Sequence, residues 1–131
     1  MTRCVLVVDE QLAPGLAANA VAVMAVTLGT KVPALIGEDF EDAAGETHAG
    51  LFREGLPVLK ASKDALPALR AKAVAAEVGV IGMPVNGQQT NDYDAFRAMV
   101  AASDAPDYLG LALYGPAKAV RRLTGSLALL R

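Results

Sequence analysis

The sequence is poor in cysteine and aromatic residues: Cys4 is the single thiol among 131 residues, tryptophan is absent, and aromatic residues make up 5%. One thiol excludes a disulfide framework. Charge of either sign is also sparse, with 12 Lys and Arg against 14 Asp and Glu and a net charge of -2. That balance argues against non-specific nucleic-acid binding, which rests on clustered Lys and Arg releasing counterions. Nor is there an apolar run of the roughly 20 residues that span a bilayer; the most apolar window, Leu12 to Leu28, contains Asn19. Asp9 and Glu10 stop the opening apolar run well short of a secretory h-region. The expected setting is therefore cytoplasmic, without membrane or nucleic-acid partners. The chain does have apolar content of 53% against 20% charged, enough for one domain over residues 1–131 that buries about two thirds of its unfolded surface.

Buried strands alternate with helices along the chain. Cys4–Val8 is a continuous β-branched run, the pattern of a strand covered on both faces. A helix is expected from Pro14, suited to a first turn, to about Leu28, with Gly29 ending it. This helix is apolar nearly all round, so it has one side for the sheet and another for a helix or a second subunit. Val32–Ile36 reads as a short edge strand or isolated extended segment because Pro33 lacks a donor. Residues 38–46 form an acidic turn. Leu56–Ala61 is the next strand, and Ser62 is placed to cap a helix that carries Leu66, Leu69 and Ala73 inward.

Val78–Met83 is another buried strand, in which Gly79 and Gly82 leave room for a backbone or ligand. Tyr93, Phe96, Met99 and Val100 then recur at helical spacing, with Thr90 or Asn91 as the cap. Tyr108–Tyr114 is the last clear strand, and Gly115-Pro116 opens a final helix that Gly125 ends. The alternation predicts a three-layer α/β/α sandwich with a mixed, mostly parallel sheet.

No Walker loop, dinucleotide-binding glycine fingerprint, nucleophile elbow or zinc spacing occurs, so no cofactor and no metal are expected. Gly82–Gly87 is a glycine-containing turn without the Lys-Ser/Thr ending that reaches phosphates. His48, the single histidine, is the side chain whose ordinary pKa suits proton transfer near neutral pH; a solvated residue in an acidic turn is the plainer expectation. Asp9 and Glu10 follow the carboxyl end of a buried strand, where α/β sheets bind ligands. Asn19 needs a partner for its amide if buried. Cys4 reads as a core residue.

The opening LVVDEQLAPGLAANAVAVMAVTLG and the ending YLGLALYGPAKAVRRLTGSLALLR, with PALIGEDFEDAAGETHAG and LPVLKAS between them, resemble the family called domain of unknown function 2000. More distantly they resemble type II peptidyl-tRNA hydrolases, which share an opening strand, glycine-containing loop and Ala-rich helix, and a late Thr-Gly like Thr124-Gly125. That resemblance implies a compact α/β sandwich with a mixed sheet, and a homodimer. The hydrolases carry a Lys-rich loop after the first strand, including a lysine implicated in catalysis, whereas Ala13–Ala18 keeps Gly15 and has no Lys. Their Asp-Ala-Gly-Thr-type loop has no counterpart in Asn86–Tyr93, so Asp92 and Asp94 are not equated with the family's Asp. The expectation is a small-ligand or partner binding protein with a cleft near the first loop, lined by Asp9, Glu10, Gly15 and Asn19. A divergent ester or amide hydrolase using His48 or Asp92 is the alternative.

Overall fold

The computed structural model describes residues 1–131 as four helices around a five-stranded sheet. The strands are β1 (Thr2–Asp9), β4 (Val58–Ala61), β5 (Gly79–Pro84), β6 (Tyr108–Pro116) and β7 (Ala128–Leu129), in the order β5-β6-β1-β4-β7. A separate hairpin joins β2 (Phe40–Glu41) to β3 (Thr47–His48). The helices are α1 (Pro14–Lys31), α2 (Leu66–Ala75), α3 (Tyr93–Ala101) and α4 (Ala117–Thr124).

β1 is central, and Cys4–Val8 are fully buried because helices cover both faces of the sheet. Ala20 and Met24 of α1 pack with Leu6, Val8, Met83, Leu109 and Ala112 on one face. On the other, Leu66 and Ala73 of α2 and Val120 of α4 pack with Val5, Val7, Leu111 and Leu113. The three layers are thus built from alternate residues of the same strands, as the period of two requires. No helix is long and apolar enough to cross a membrane.

The sheet is mixed, but it is mostly antiparallel, which corrects the mostly parallel expectation. β1 and β4 alone run parallel; β6 is antiparallel to both β1 and β5, and β7 to β4. Alternation of strands with helices favours parallel crossovers only when each helix spans the sheet. Here α3 rests chiefly on the 3-10 turn Val85–Gln88 and stands in the connection between two strands that pair side by side. β5 and β6 are in effect a hairpin with a helix in its loop.

Local differences have similar causes. α1 continues past Gly29 to Lys31, and its first turn has Pro14 but no side-chain cap. Val32–Ile36 is not a strand: Pro33–Leu35 forms a 3-10 turn, and Ile36 makes one bridge to Phe52. Ser62 does not cap α2, because the 3-10 turn Lys63–Ala65 precedes the helix. The cap of α3 is Asp92, whose Oδ1 accepts from Ala95 N at 3.1 Å, while Thr90 Oγ1 accepts from Asp92 N at 3.1 Å. β6 runs through Pro116, and α4 starts at Ala117, whose N–H donates to Met1 O at 2.8 Å. The acidic turn is ordered into the β2–β3 hairpin.

Candidate functional site

Three elements converge on a pocket of about 340 Å³. α1 supplies Val23, Met24 and Thr27; β5 supplies Ile81, Gly82, Met83 and Pro84; Gly87, Thr90, Asn91, Tyr93 and Phe96 come from the turn and helix after β5. The volume lies within the range of small-molecule sites, about 300–1,000 Å³. Its floor is core: Met24 and Met83 are almost fully buried. Tyr93 and Phe96 form a tilted aromatic pair with ring centroids 5.6 Å apart. A larger hollow of about 500 Å³ lies between α2 and α4, but its seven lining residues include Lys72 and Arg122 and no strand. The first pocket reaches the sheet, so it is the better candidate site.

Not one of its lining residues carries a charge. Thr27, Thr90 and Tyr93 offer hydroxyls and Asn91 an amide, so the site can orient a neutral polar group while its walls bury an apolar body. It has no cation to hold a phosphate or polarise an ester. Four consecutive residues of β5 line it. Side chains alternate between faces along a strand, so a pocket that touches all four also touches the backbone at the strand's open edge.

The glycines of β5 serve a different purpose from the one their sequence positions imply. A Cβ on Gly79 would lie 2.3 Å from the Tyr114 ring, and one on Gly82 would lie 2.8 Å from Tyr108 Cε1. The space is taken by tyrosines of β6 rather than left for a ligand. Gly87 is similarly tight, with Met83 Cε at 3.0 Å from a built Cβ.

The residues expected at the site are dispersed. Asp9 is buried at the end of β1, where its Oδ1 accepts from Gln11 N at 2.9 Å. Glu10 is exposed, and its N–H donates to Ala61 O at 2.9 Å. Gly15 is in the first turn of α1, with nothing within 4 Å of a built Cβ. Asn19 is exposed; its Oδ1 accepts from Gln88 Nε2 at 3.2 Å, and the same Nε2 donates to Leu16 O at 2.9 Å. Gln88 therefore ties the turn beside the pocket to α1. Of the four, Asn19 alone is bonded to an element that forms the pocket.

His48 and Asp92 do not line the pocket. His48 stacks on Phe40 with centroids 5.3 Å apart, and its Nε2 lies 2.9 Å from Asp42 Oδ2. Asp42 Oδ1 also accepts from Ala44 N and Glu46 N, at 2.9 and 3.1 Å. The hydrogen bond with His48, then that from Glu46, holds the Asp42 carboxyl below its ordinary range. Asp92 uses its carboxylate to cap α3. No group of three or more His, Cys, Asp and Glu residues is arranged to hold a metal ion. Cys4 is a core residue, and burial pushes its thiol pKa up.

Sequence reading missed most of the pocket because Val23, Met24, Ile81, Met83 and Phe96 are indistinguishable from core residues by type. The available signal was the helix that is apolar nearly all round, since its second apolar side needs something to face.

A mixed five-stranded sheet between two helical layers, with an uncharged pocket beside one edge strand, defines an α/β sandwich domain. The chain belongs to the DUF2000 family of proteins of unknown function, which matches residues 2–131. The solved structure of a protein of unknown function from Agrobacterium tumefaciens strain C58 has the same fold. It superposes with a TM-score of 0.90 at 20% identity, covering 98% of this chain and 96% of that one. No curated protein matches the chain in sequence.

Proposed function

We propose that this chain is a cytoplasmic binding protein that takes a small, uncharged, largely apolar ligand in the pocket between α1, β5 and α3, on an architecture like that of type II peptidyl-tRNA hydrolases. The absence of any charged side chain from the twelve lining residues carries the reading. Anionic ligands such as phosphates would lose their hydration there without gaining a cation. A neutral ring or short alkyl group gains burial worth about 25 cal/mol per Å² of apolar surface, and the hydroxyls and Asn91 fix its orientation. The absence of Lys from Ala13–Ala18 also supports binding over ester chemistry.

The test is ligand-observed NMR with a library of neutral aromatic and aliphatic fragments. Thr27 is exposed on α1 and lines the pocket, so Thr27→Phe fills the site without entering the core. Binding that is lost in Thr27→Phe and kept in Asp9→Ala and Asn19→Ala supports the pocket. Binding lost instead in the latter two places the site at the first loop, and no fragment binding at all overturns the reading.

The exposed Asp42–His48 pair favours a second reading, an ester or amide hydrolase, because a carboxylate that orients an imidazole leaves its other nitrogen for proton exchange. It predicts release of the peptidyl group from peptidyl-tRNA that disappears in His48→Ala or Asp92→Ala. Turnover untouched by both variants, or none, counts against it.

A further inference from the structure

The hollow of about 500 Å³ between α2 and α4 lies across the sheet from the uncharged pocket, on the face that Leu66, Ala73 and Val120 cover. Ala65, Ala68, Leu69 and Lys72 line it from one side at helical spacing; Arg122, Leu123 and Ser126 line it from the end of α4 and the turn after it. Leu69 and Leu123 are half-buried and pack on the core beneath, so the floor is apolar and fixed. Lys72 and Arg122 are exposed, one on each wall.

No carboxylate lines this hollow. Neither Lys72 nor Arg122 belongs to an ion pair, because the single pair of the chain joins His48 to Asp42. The Ser126 N–H and hydroxyl also donate to no protein group. A cation in the last turn of a helix offsets the macrodipole, and Lys72 and Arg122 each occupy such a turn. That accounts for one cation per helix, a role Arg121 already fills in α4. It does not account for two cations from different helices sharing one hollow, where like charges repel. The surrounding layer has the same bias: residues 62–78 and 117–127 hold six Lys and Arg against Asp64 and Glu77, in a chain of net charge -2.

We propose that this hollow binds a small phosphate monoester with an apolar body, its phosphate held between Lys72 and Arg122 and its body resting on Leu69 and Leu123. A phosphate monoester carries about -1.5 to -2 near neutral pH, which matches two cations, whereas a carboxylate leaves one of them unpaired. The Arg122 fork suits two phosphate oxygens at once and the Lys72 ammonium acts as a point charge on the third. The Ser126 hydroxyl is free to add a donor. The apolar floor selects an organic phosphate over the inorganic ion, because it gains only when a ligand covers it. This ligand class is the one that the uncharged pocket disfavours, so the two sites are independent and either reading can fail alone.

Titration of phenyl phosphate into the full chain at low salt, followed by amide shifts, tests the proposal; low salt matters because exposed charges are screened over about 8 Å at physiological ionic strength. The expected result is saturable shifts at Leu69, Lys72, Leu123 and Ser126, with affinity falling about fivefold or more in Lys72→Gln and in Arg122→Gln. Both residues are exposed, so the variants fold, and circular dichroism verifies this. Lys118→Gln removes a cation from α4 outside the hollow, and Thr27→Phe fills the other pocket; each leaves the affinity within about twofold. Benzoate, which lacks the second charge, and inorganic phosphate, which lacks the apolar body, each bind at least about fivefold more weakly. No saturable shift overturns the proposal, as does an equal loss in Lys118→Gln, or benzoate or inorganic phosphate binding as tightly as phenyl phosphate. Binding to vesicles containing phosphatidic acid, with none to phenyl phosphate, overturns it too and makes the basic layer a membrane-facing surface.

Discussion

Replacing Gly110 by alanine tests the packing that connects the central sheet to the pocket floor. A Cβ built on Gly110 lies 2.8 Å from Met24 Cε, 2.9 Å from Val7 O and 3.3 Å from Val8 Cγ1. Met24 is the flexible end of a side chain and can move. Val7 O belongs to the central strand, which is held by β6 and β4, and cannot. Overpacking of this kind costs about 1–3 kcal/mol, offset by about 0.4–1 kcal/mol from the reduced freedom of the unfolded chain. The net loss lies between about 0 and 2.6 kcal/mol, centred near 1.3 kcal/mol. For a chain of this length the central value lowers Tm by about 2–10 °C. Gly15→Ala is the matched control: a Cβ there meets nothing within 4 Å, so the same entropic gain of about 0.4–1 kcal/mol acts alone and raises Tm. Urea denaturation with unchanged m-values gives both quantities. Because Met24 also lines the pocket, its displacement in Gly110→Ala further weakens fragment binding. A Gly110→Ala protein as stable as the wild type would refute the close approach of β6 to β1 and α1.

Glu77 follows α2 in the left-handed region at φ 58°, and Val78 N donates back to Ala73 O at 2.9 Å; Glu77→Gly removes the side-chain penalty and should stabilise the fold by about 0.5–1 kcal/mol in the same denaturation assay. Asp42 has its pKa held below the ordinary value of 3.8 in the folded hairpin, so its contribution is complete above the unfolded value and disappears as pH falls through the lower folded one. Acid titration by NMR should accordingly shift the Phe40 and His48 ring protons together below about pH 4, with no such joint shift in Asp42→Asn. Gln88→Ala removes the bonds to Leu16 and Asn19, and should cost about 0.5–1.5 kcal/mol and speed amide exchange in the turn after β5.

The parts of the fold that periodicity controls were legible in the sequence. Cys4–Val8 as a doubly covered strand and the helix from Pro14 follow from local pattern, and the three layers follow from alternation. Strand direction did not follow, because it depends on where α3 packs: a helix between two strands produces a crossover only if it covers the sheet, and Tyr93–Ala101 rests on a turn instead. The hairpin around Asp42 was hidden for another reason. Its two-residue strands carry no alternation, and they are held by Asp42 and the His48–Phe40 stack rather than by burial. β7 is equally short and pairs with β4 at residues that no turn signal marks.

The site was less legible than the fold. The polar groups beyond the first strand point to a ligand site there, yet Asp9 bonds to Gln11 N and Asn19 to Gln88. The pocket is built instead from apolar residues of three elements distant in sequence, which only the fold brings together. Gly82 and Gly87 did mark a crowded segment, although β6 tyrosines and Met83 account for their small size.

Amide shift mapping with a binding neutral fragment tests most directly whether the pocket between α1, β5 and α3 is the ligand site. The predicted result is saturable shifts confined to the amides of Val23, Met24, Ile81, Gly82 and Phe96 and their neighbours, absent in Thr27→Phe. Saturable shifts confined to Glu10–Asn19 or to the β2–β3 hairpin, with those five amides unmoved, would contradict it.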